Sequence, residues 1–332
     1  MKLLYFVLIL TIVQFTLGFK IESASDAASV IKTPAPGFIN SYSNSLTEVS
    51  DATIQDIDIV TKKTPAAPVL VLYPNQHDCE WRTTNYFEQT LNTYTACYEV
   101  GEQEHWLVND VYDVKKHGAH LCDQIQADEN LKPGNFSIVA FSHGGMLARY
   151  LVEYCSFPQP IRHLVTFGSP MNGISGISHF QRNSMFGRIV NTAIDYLVDF
   201  EIMENIMVGT DYWRDPCHHS HYLTNSKFLA EANNEVGFSE ERRSKWLNLT
   251  KTLYIQWEND EDIVPKESSH WAELDADFNV VHRKDTELYK SDLIGLKTME
   301  ENGQSSYINF PGAHMEFNYT QINDYVLPIL RA

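Results

Sequence analysis

Apolar residues in this chain fall into short unbroken runs, separated by longer stretches with helical spacing. Val69-Leu70-Val71-Leu72-Tyr73 leads into Pro74-Asn75, and Phe136-Ser137-Ile138-Val139-Ala140-Phe141 leads into Ser142. Ile161 to Phe167 ends in Gly168-Ser169-Pro170, Thr252 to Trp257 in Glu258-Asn259-Asp260, and Ser306 to Phe310 in Pro311-Gly312-Ala313-His314. Runs this short, without polar alternation, are expected of strands buried on both faces, as in parallel sheets. Val111 to Gln126 repeats apolar residues near the helical period, and so does Gly145 to Tyr154, through Met146, Leu147, Tyr150, Leu151 and Tyr154. Strands alternating with helices predict an α/β fold built on a doubly wound, mainly parallel sheet. Its ligand site should lie beyond the C-terminal ends of the strands.

Two segments break the alternation. At about 171–250 the pattern turns helical, with Met185, Ile189, Ile194, Leu197, Val198, Ile202, Ile206 and Met207. We read it as a helical cap inserted over the strand ends; most of these side chains suit helix packing, and some suit an acyl-chain groove. Residues 19–66 are rich in Ser, Thr, Ala, Asp and Pro with little periodicity, and read as a polar, disordered leader. Ahead of them, Lys2, the apolar stretch Leu3 to Phe15 and Thr16-Leu17-Gly18 have the form of a signal peptide over 1–18. A membrane anchor is the competing reading, but the stretch falls short of the ~20 residues of a span. The folded domain is then expected over 67–332.

Composition narrows the partners. A formal charge of −18 repels a nucleic-acid backbone and gives no electrostatic hold on anionic lipid, so neither nucleic-acid binding nor a stable membrane anchor is expected. An export signal changes the meaning of the five cysteines: in an oxidising compartment they should pair and leave one over. It also makes the sequons at Asn135, Asn248 and Asn318 usable for glycosylation.

The chemistry concentrates where the second run ends. Ala140-Phe141-Ser142-His143-Gly144 is a small-x-Ser-x-Gly turn between a strand and a helix, the setting of a nucleophile elbow in α/β-hydrolases. Residues 140 and 144 must be small because the turn brings the strand close to the helix. The turn lifts the Ser142 hydroxyl and aims the His143 backbone N–H at a developing oxyanion. Serine needs a base, and the base needs an acid to orient it, in the order Ser…Asp/Glu…His. His314, the last of thirteen histidines, stands in a loop after an apolar run. Asp260, Glu261 and Asp262 all follow the preceding run and compete as the acid. The cluster Cys217-His218-His219-Ser220-His221 raises the idea of a metal site, but no ligand stands at matching spacing elsewhere.

These residues bring out a family likeness. The chain resembles palmitoyl-protein thioesterases over roughly 68–332. Val139 to Gly145 is similar to that family's V-G-F-S-Q-G-G, and Tyr212-Trp213-Arg214-Asp215-Pro216 to its Y-W-x-D-P. Ser226 to Glu235 resembles S-x-F-L-A-x-I-N-x-E, and Leu288 to Met299 resembles L-Y-x-x-D-x-x-G-L-K-x-M. Gly312-Ala313-His314 stands where the family has G-D-H. The resemblance implies an α/β-hydrolase fold and hydrolysis of thioester-linked palmitate on S-acylated proteins or peptides, without metal or cofactor, in the secretory pathway and above all the lysosome. It implies Ser142 as nucleophile, His314 as base and Asp260 as acid, with Glu261 the alternative alignment. It also implies a disulfide between Cys122 and Cys155, worth about 2–4 kcal/mol; Cys79 matches loosely, Cys97 and Cys217 not at all. Where the family has His-Gly after its first strand, this chain has Tyr73-Pro74. Pro74 carries no N–H, so the second oxyanion donor falls to the Asn75 backbone. Two rivals remain at this point: an oxygen-ester lipase or carboxylesterase on the same fold, and an acyl-binding relative with impaired catalysis.

Overall fold

The computed structural model describes residues 66–73, 79, 81–98, 113–176 and 210–332. The signal peptide, almost all of the leader, Pro74 to Gln76 and the apolar residues at 185–207 lie outside these. So does Val111, the expected start of the first long helix.

Six strands form one sheet in the order β2-β1-β3-β4-β5-β8. They are β1 (Val69–Leu72), β2 (Thr95–Cys97), β3 (Ser137–Phe141), β4 (His163–Phe167), β5 (Lys251–Trp257) and β8 (Ser305–Phe310); the short β6 (Glu273–Leu274) and β7 (Val280–Val281) pair separately. Every neighbouring pair in the large sheet is parallel, in a register that aligns Val71 with Val139 and Val139 with Val165. All five predicted runs are therefore strands. Their lack of alternation has the expected cause: β1, β3 and β4 are buried at every position. One face carries Val69, Val71, Val139, Phe141, Val165, Phe167, Ile255 and Trp257, which pack against Phe87, Ile322, Val326 and Leu327. Leu70, Ile138, Ala140 and Leu164 alternate with them and are equally buried, facing the opposite layer.

The helices flanking β3 are α2 (Val114–Ala127) and α3 (Gly144–Tyr154); α1 (Trp81–Leu91) precedes β2. Asp113 caps α2 by accepting the Lys116 N–H. Within the segment expected to form a cap, the described residues hold three short helices, α4 (His219–Asn225), α5 (Leu229–Ala232) and α6 (Glu240–Leu247). No helix among the described residues is long and apolar enough to cross a membrane.

A buried polar cluster ties this segment to α3. Arg149 and Glu153, one turn apart, form an ion pair at 2.9 Å with both side chains fully buried. Arg149 also donates to the Met171 carbonyl at 2.7 Å and to Asn233 Oδ1 at 2.9 Å, and its guanidinium lies 4.9 Å from the Trp271 ring centroid. Trp246 Nε1 donates to Glu153 Oε1 at 3.1 Å. Nearby, Arg214 bridges Glu235 at 2.8 Å and Glu273 at 2.7 Å.

His163 is buried in the sheet with Nδ1 2.9 Å from the Ser137 hydroxyl. Burial, with Arg162 adding repulsion, pushes its pKa down to about 4. The unfolded chain then takes up a proton that the native ring refuses. Stability linked to this ring is complete above pH ~6.5 and is lost as pH falls from there, by roughly 1.4 kcal/mol per pH unit, until the folded ring itself titrates. His163→Asn is expected to remove that slope from the urea-unfolding free energy measured between pH 7 and 4. An unchanged slope would show that other groups set the acid sensitivity.

Candidate active site

The strand–turn–helix at β3 and α3 exposes Ser142 by bending the chain sharply. Ser142 adopts φ +50°, a left-handed conformation costly for a residue with a Cβ. Its N–H is held by the Phe167 carbonyl of β4 at 2.7 Å. The two glycines that follow have no room for a side chain. A Cβ on Gly144 would lie 2.6 Å from the Leu72 carbonyl oxygen, and one on Gly145 would lie 2.3 Å from Ser169 Cβ. Ala140, the residue that replaces the commoner glycine, is fully buried between its sheet neighbours Leu72 and Thr166.

Two loops at the same end of the sheet bring up the partners. After β8, the Pro311–His314 turn is fixed by the Asn259 N–H, which donates to the Gly312 carbonyl at 3.0 Å, and by the Ala313 N–H, which donates to Glu316 at 2.8 Å. His314 Nε2 lies 2.9 Å from Ser142 Oγ, and its Nδ1 lies 2.7 Å from Asp260 Oδ2. The Trp257 ring packs edge-on against the imidazole, with centroids 5.5 Å apart. Asp260 is 3 % exposed, and its other oxygen accepts the N–H groups of Asp262 at 2.9 Å and Ile263 at 3.0 Å. Of the three competing carboxylates, Asp260 is the one bonded to His314; Glu261 is exposed and Asp262 half-buried. Three residues far apart in sequence thus stand in one hydrogen-bonded chain, the arrangement that lets an imidazole accept a hydroxyl proton.

His143 is the N-cap of α3, and the carbonyls of Ser142 and His143 accept the N–H groups of Gly145 at 3.0 Å and Met146 at 2.8 Å. Asn75, the expected second oxyanion donor, lies outside the described residues. The Cys122–Cys155 disulfide joins α2 to the end of α3, with Cα atoms 6.0 Å apart. A second one, Cys79–Cys97, was left open by the sequence; it ties the approach to α1 onto the edge strand β2, with Cα atoms 5.7 Å apart. Cys217 is exposed, its sulfur 3.9 Å from the Ala276 carbonyl oxygen. His218 bonds the buried Asp215 at 2.9 Å. Among the described residues, the Cys217–His221 cluster does not gather ligand atoms; the group that does is Asp260, Asp262 and His314, within 4.8 Å of one another. Asn135, Asn248 and Asn318 are all exposed.

Comparison of the sequence with known proteins points to a family. A Caenorhabditis elegans protein, palmitoyl-protein thioesterase 1, is 29% identical over 197 residues, covering 59% of this chain and 65% of the nematode protein. A Schizosaccharomyces pombe palmitoyl-protein thioesterase-dolichyl pyrophosphate phosphatase fusion is 29% identical over 212 residues, 62% of this chain and 33% of the yeast protein. The Xenopus laevis lysosomal thioesterase PPT2-B is 28% identical over 223 residues, 65% of this chain and 74% of the frog protein. The chain thus spans just under two thirds of the first relative and a third of the second. The model of the palmitoyl protein thioesterase family matches residues 74–314, and with Ser142, His314 and Asp260 all inside that span the chain belongs to this family.

Proposed function

We propose that this protein hydrolyses thioester-linked long-chain acyl groups on cysteines of S-acylated proteins or peptides. The observation that carries the reading is the Ser142–His314–Asp260 chain at 2.9 and 2.7 Å. Ser142 Oγ attacks the thioester carbonyl while His314 Nε2 takes its proton. Asp260 holds Nδ1–H and stabilises the imidazolium. The negative oxygen of the tetrahedral intermediate is received by the backbone N–H groups of His143 and Asn75. The C–S bond then breaks and the thiolate leaves, taking the proton from His314. Water, deprotonated by the same imidazole, attacks the acyl-enzyme and releases the fatty acid and Ser142. A thiol ionises near pH 8.5, far below an alcohol, so the leaving step needs little help from an acid. The chemistry requires no metal or cofactor.

In this reading residues 1–18 direct export and are removed, 19–66 form a leader, and 67–332 form the catalytic domain with its cap at about 171–250. The exposed sequons, the disulfides and the lysosomal name of the frog relative support a lysosomal destination, with secretion as the second route. The test is kcat/KM for a palmitoyl thioester against the matched oxygen ester. Faster thioester cleavage, by about tenfold or more (~1.4 kcal/mol), is the expected result. Equal or faster cleavage of the oxygen ester would make the protein a lipase or carboxylesterase. Inertness toward both would favour an acyl-binding role.

A further inference from the structure

The residue after the nucleophile makes a contact that its backbone role does not require. The His143 side chain is 4 % exposed, and its Nδ1 lies 3.2 Å from the Tyr212 hydroxyl. The rings are tilted, with centroids 5.5 Å apart. Tyr212 ends a turn, Thr210–Tyr212, that is held from two other directions. Asp211 Oδ2 accepts the Val114 N–H at 2.8 Å, at the first residue of α2. The Tyr212 carbonyl accepts the Ile174 N–H at 3.0 Å, and the Arg214 N–H donates to the Ile174 carbonyl at 2.7 Å. The hydroxyl that meets His143 therefore projects from an anchored backbone. Burial, and secondarily His117 on α2, pushes the pKa of His143 down to about 3. The ring stays neutral through the working range, with one donor nitrogen and one acceptor nitrogen.

We propose that the His143 side chain is a positioning residue, which through Tyr212 clamps the 210–212 turn to the nucleophile elbow and fixes the direction of the His143 N–H. The inference rests on the hydrolase reading above. Residue 143 links a strained, tethered Ser142 to the first turn of α3, and its own carbonyl accepts the Met146 N–H at 2.8 Å. The peptide plane that carries its N–H is held on one side by the Ser142 carbonyl, which accepts the Gly145 N–H at 3.0 Å; the anchored side chain restrains it from the other. Misplacing such a donor by about 1 Å can cost ~10²-fold in rate. The glutamine that the family motif carries here can reach the same hydroxyl, whereas an aliphatic side chain cannot bond to it.

The test uses the full-length protein and two readouts: the rate at which a fluorophosphonate labels Ser142, and kcat and KM for a palmitoyl thioester. His143→Leu and Tyr212→Phe are each expected to slow labelling and lower kcat by about 10–100-fold, with KM within about twofold. His143→Gln, which keeps a polar side chain, should recover most of the rate that His143→Leu loses. The double variant should lose no more than the worse single one, because both remove one coupled contact. Multiplying losses, a wild-type rate in His143→Leu, or equal failure of the Gln and Leu variants overturns the clamp. Labelling that spares thioesters rejects only the proposed substrate, since the labelling rates still read the clamp. A wild type that labels no better than Ser142→Ala rejects the hydrolase reading and the clamp with it.

Discussion

Ser142→Ala is expected to lower palmitoyl-thioester hydrolysis by about 10⁴–10⁶-fold while leaving the protein folded. Removing the nucleophile of a serine hydrolase leaves only what the oxyanion donors and binding supply. Alanine retains the Cβ of serine, so the left-handed backbone at φ +50° stays as strained as before, and the melting temperature should hardly move. Ser142→Gly separates the two properties. It is equally inactive, yet glycine relieves the left-handed strain and should raise stability by about 1 kcal/mol. An inactive, stabilised Gly variant would mark the elbow as a place where stability is given up for reactivity. Residual activity above about a hundredth of wild type in both variants would assign the nucleophile to another residue.

The two halves of this site were unequally legible. Ser142 could be read because the apolar run at 137–141, the small neighbours and the following helical period coincide, and each has a local cause. His314 could be read from its place after the last strand. The carboxylate that meets His314 could not be chosen from its own residues, because Asp260, Glu261 and Asp262 are chemically alike and adjacent. What separates them is a turn that exists only in the folded chain, with two N–H groups on one Asp260 oxygen and His314 on the other. The strand β2 escaped notice because Thr95–Cys97 has three residues and begins with a polar one; pairing with β1 makes it a strand. Tyr212 stood in a recognisable motif, but nothing in the sequence linked it to His143. The leader, the Pro74–Gln76 loop and residues 177–209 of the cap stay as read from sequence.

Glu153→Leu is expected to destabilise the protein by about 3–5 kcal/mol, measured by urea unfolding at neutral pH. On paper Arg149 and Glu153 are an ordinary i,i+4 pair, worth a few tenths of a kcal/mol on a helix surface. In the fold both are fully buried. Removing the carboxylate strands a guanidinium that cannot shed its proton, and it leaves Trp246 Nε1 without its acceptor. Arg149→Met combined with Glu153→Leu should cost less than the sum of the two single changes, because no charge is then left alone. The recovery should be incomplete, since Met171 and Asn233 lose the donors that Arg149 gives them. Additive losses would mean that the two charges act independently.

Cys122 lies in α2 and Cys155 follows α3, while β3 and the elbow fall between them in the chain. The two sulfurs meet only once α2 has packed back against α3, which places the intervening strand and its turn. The crosslink is therefore a time stamp on biosynthesis. On a non-reducing gel of newly made protein, the chains that have closed this bond are those that have already assembled the elbow. The slower band of open chains is the pool in which α2 and α3 are not yet joined.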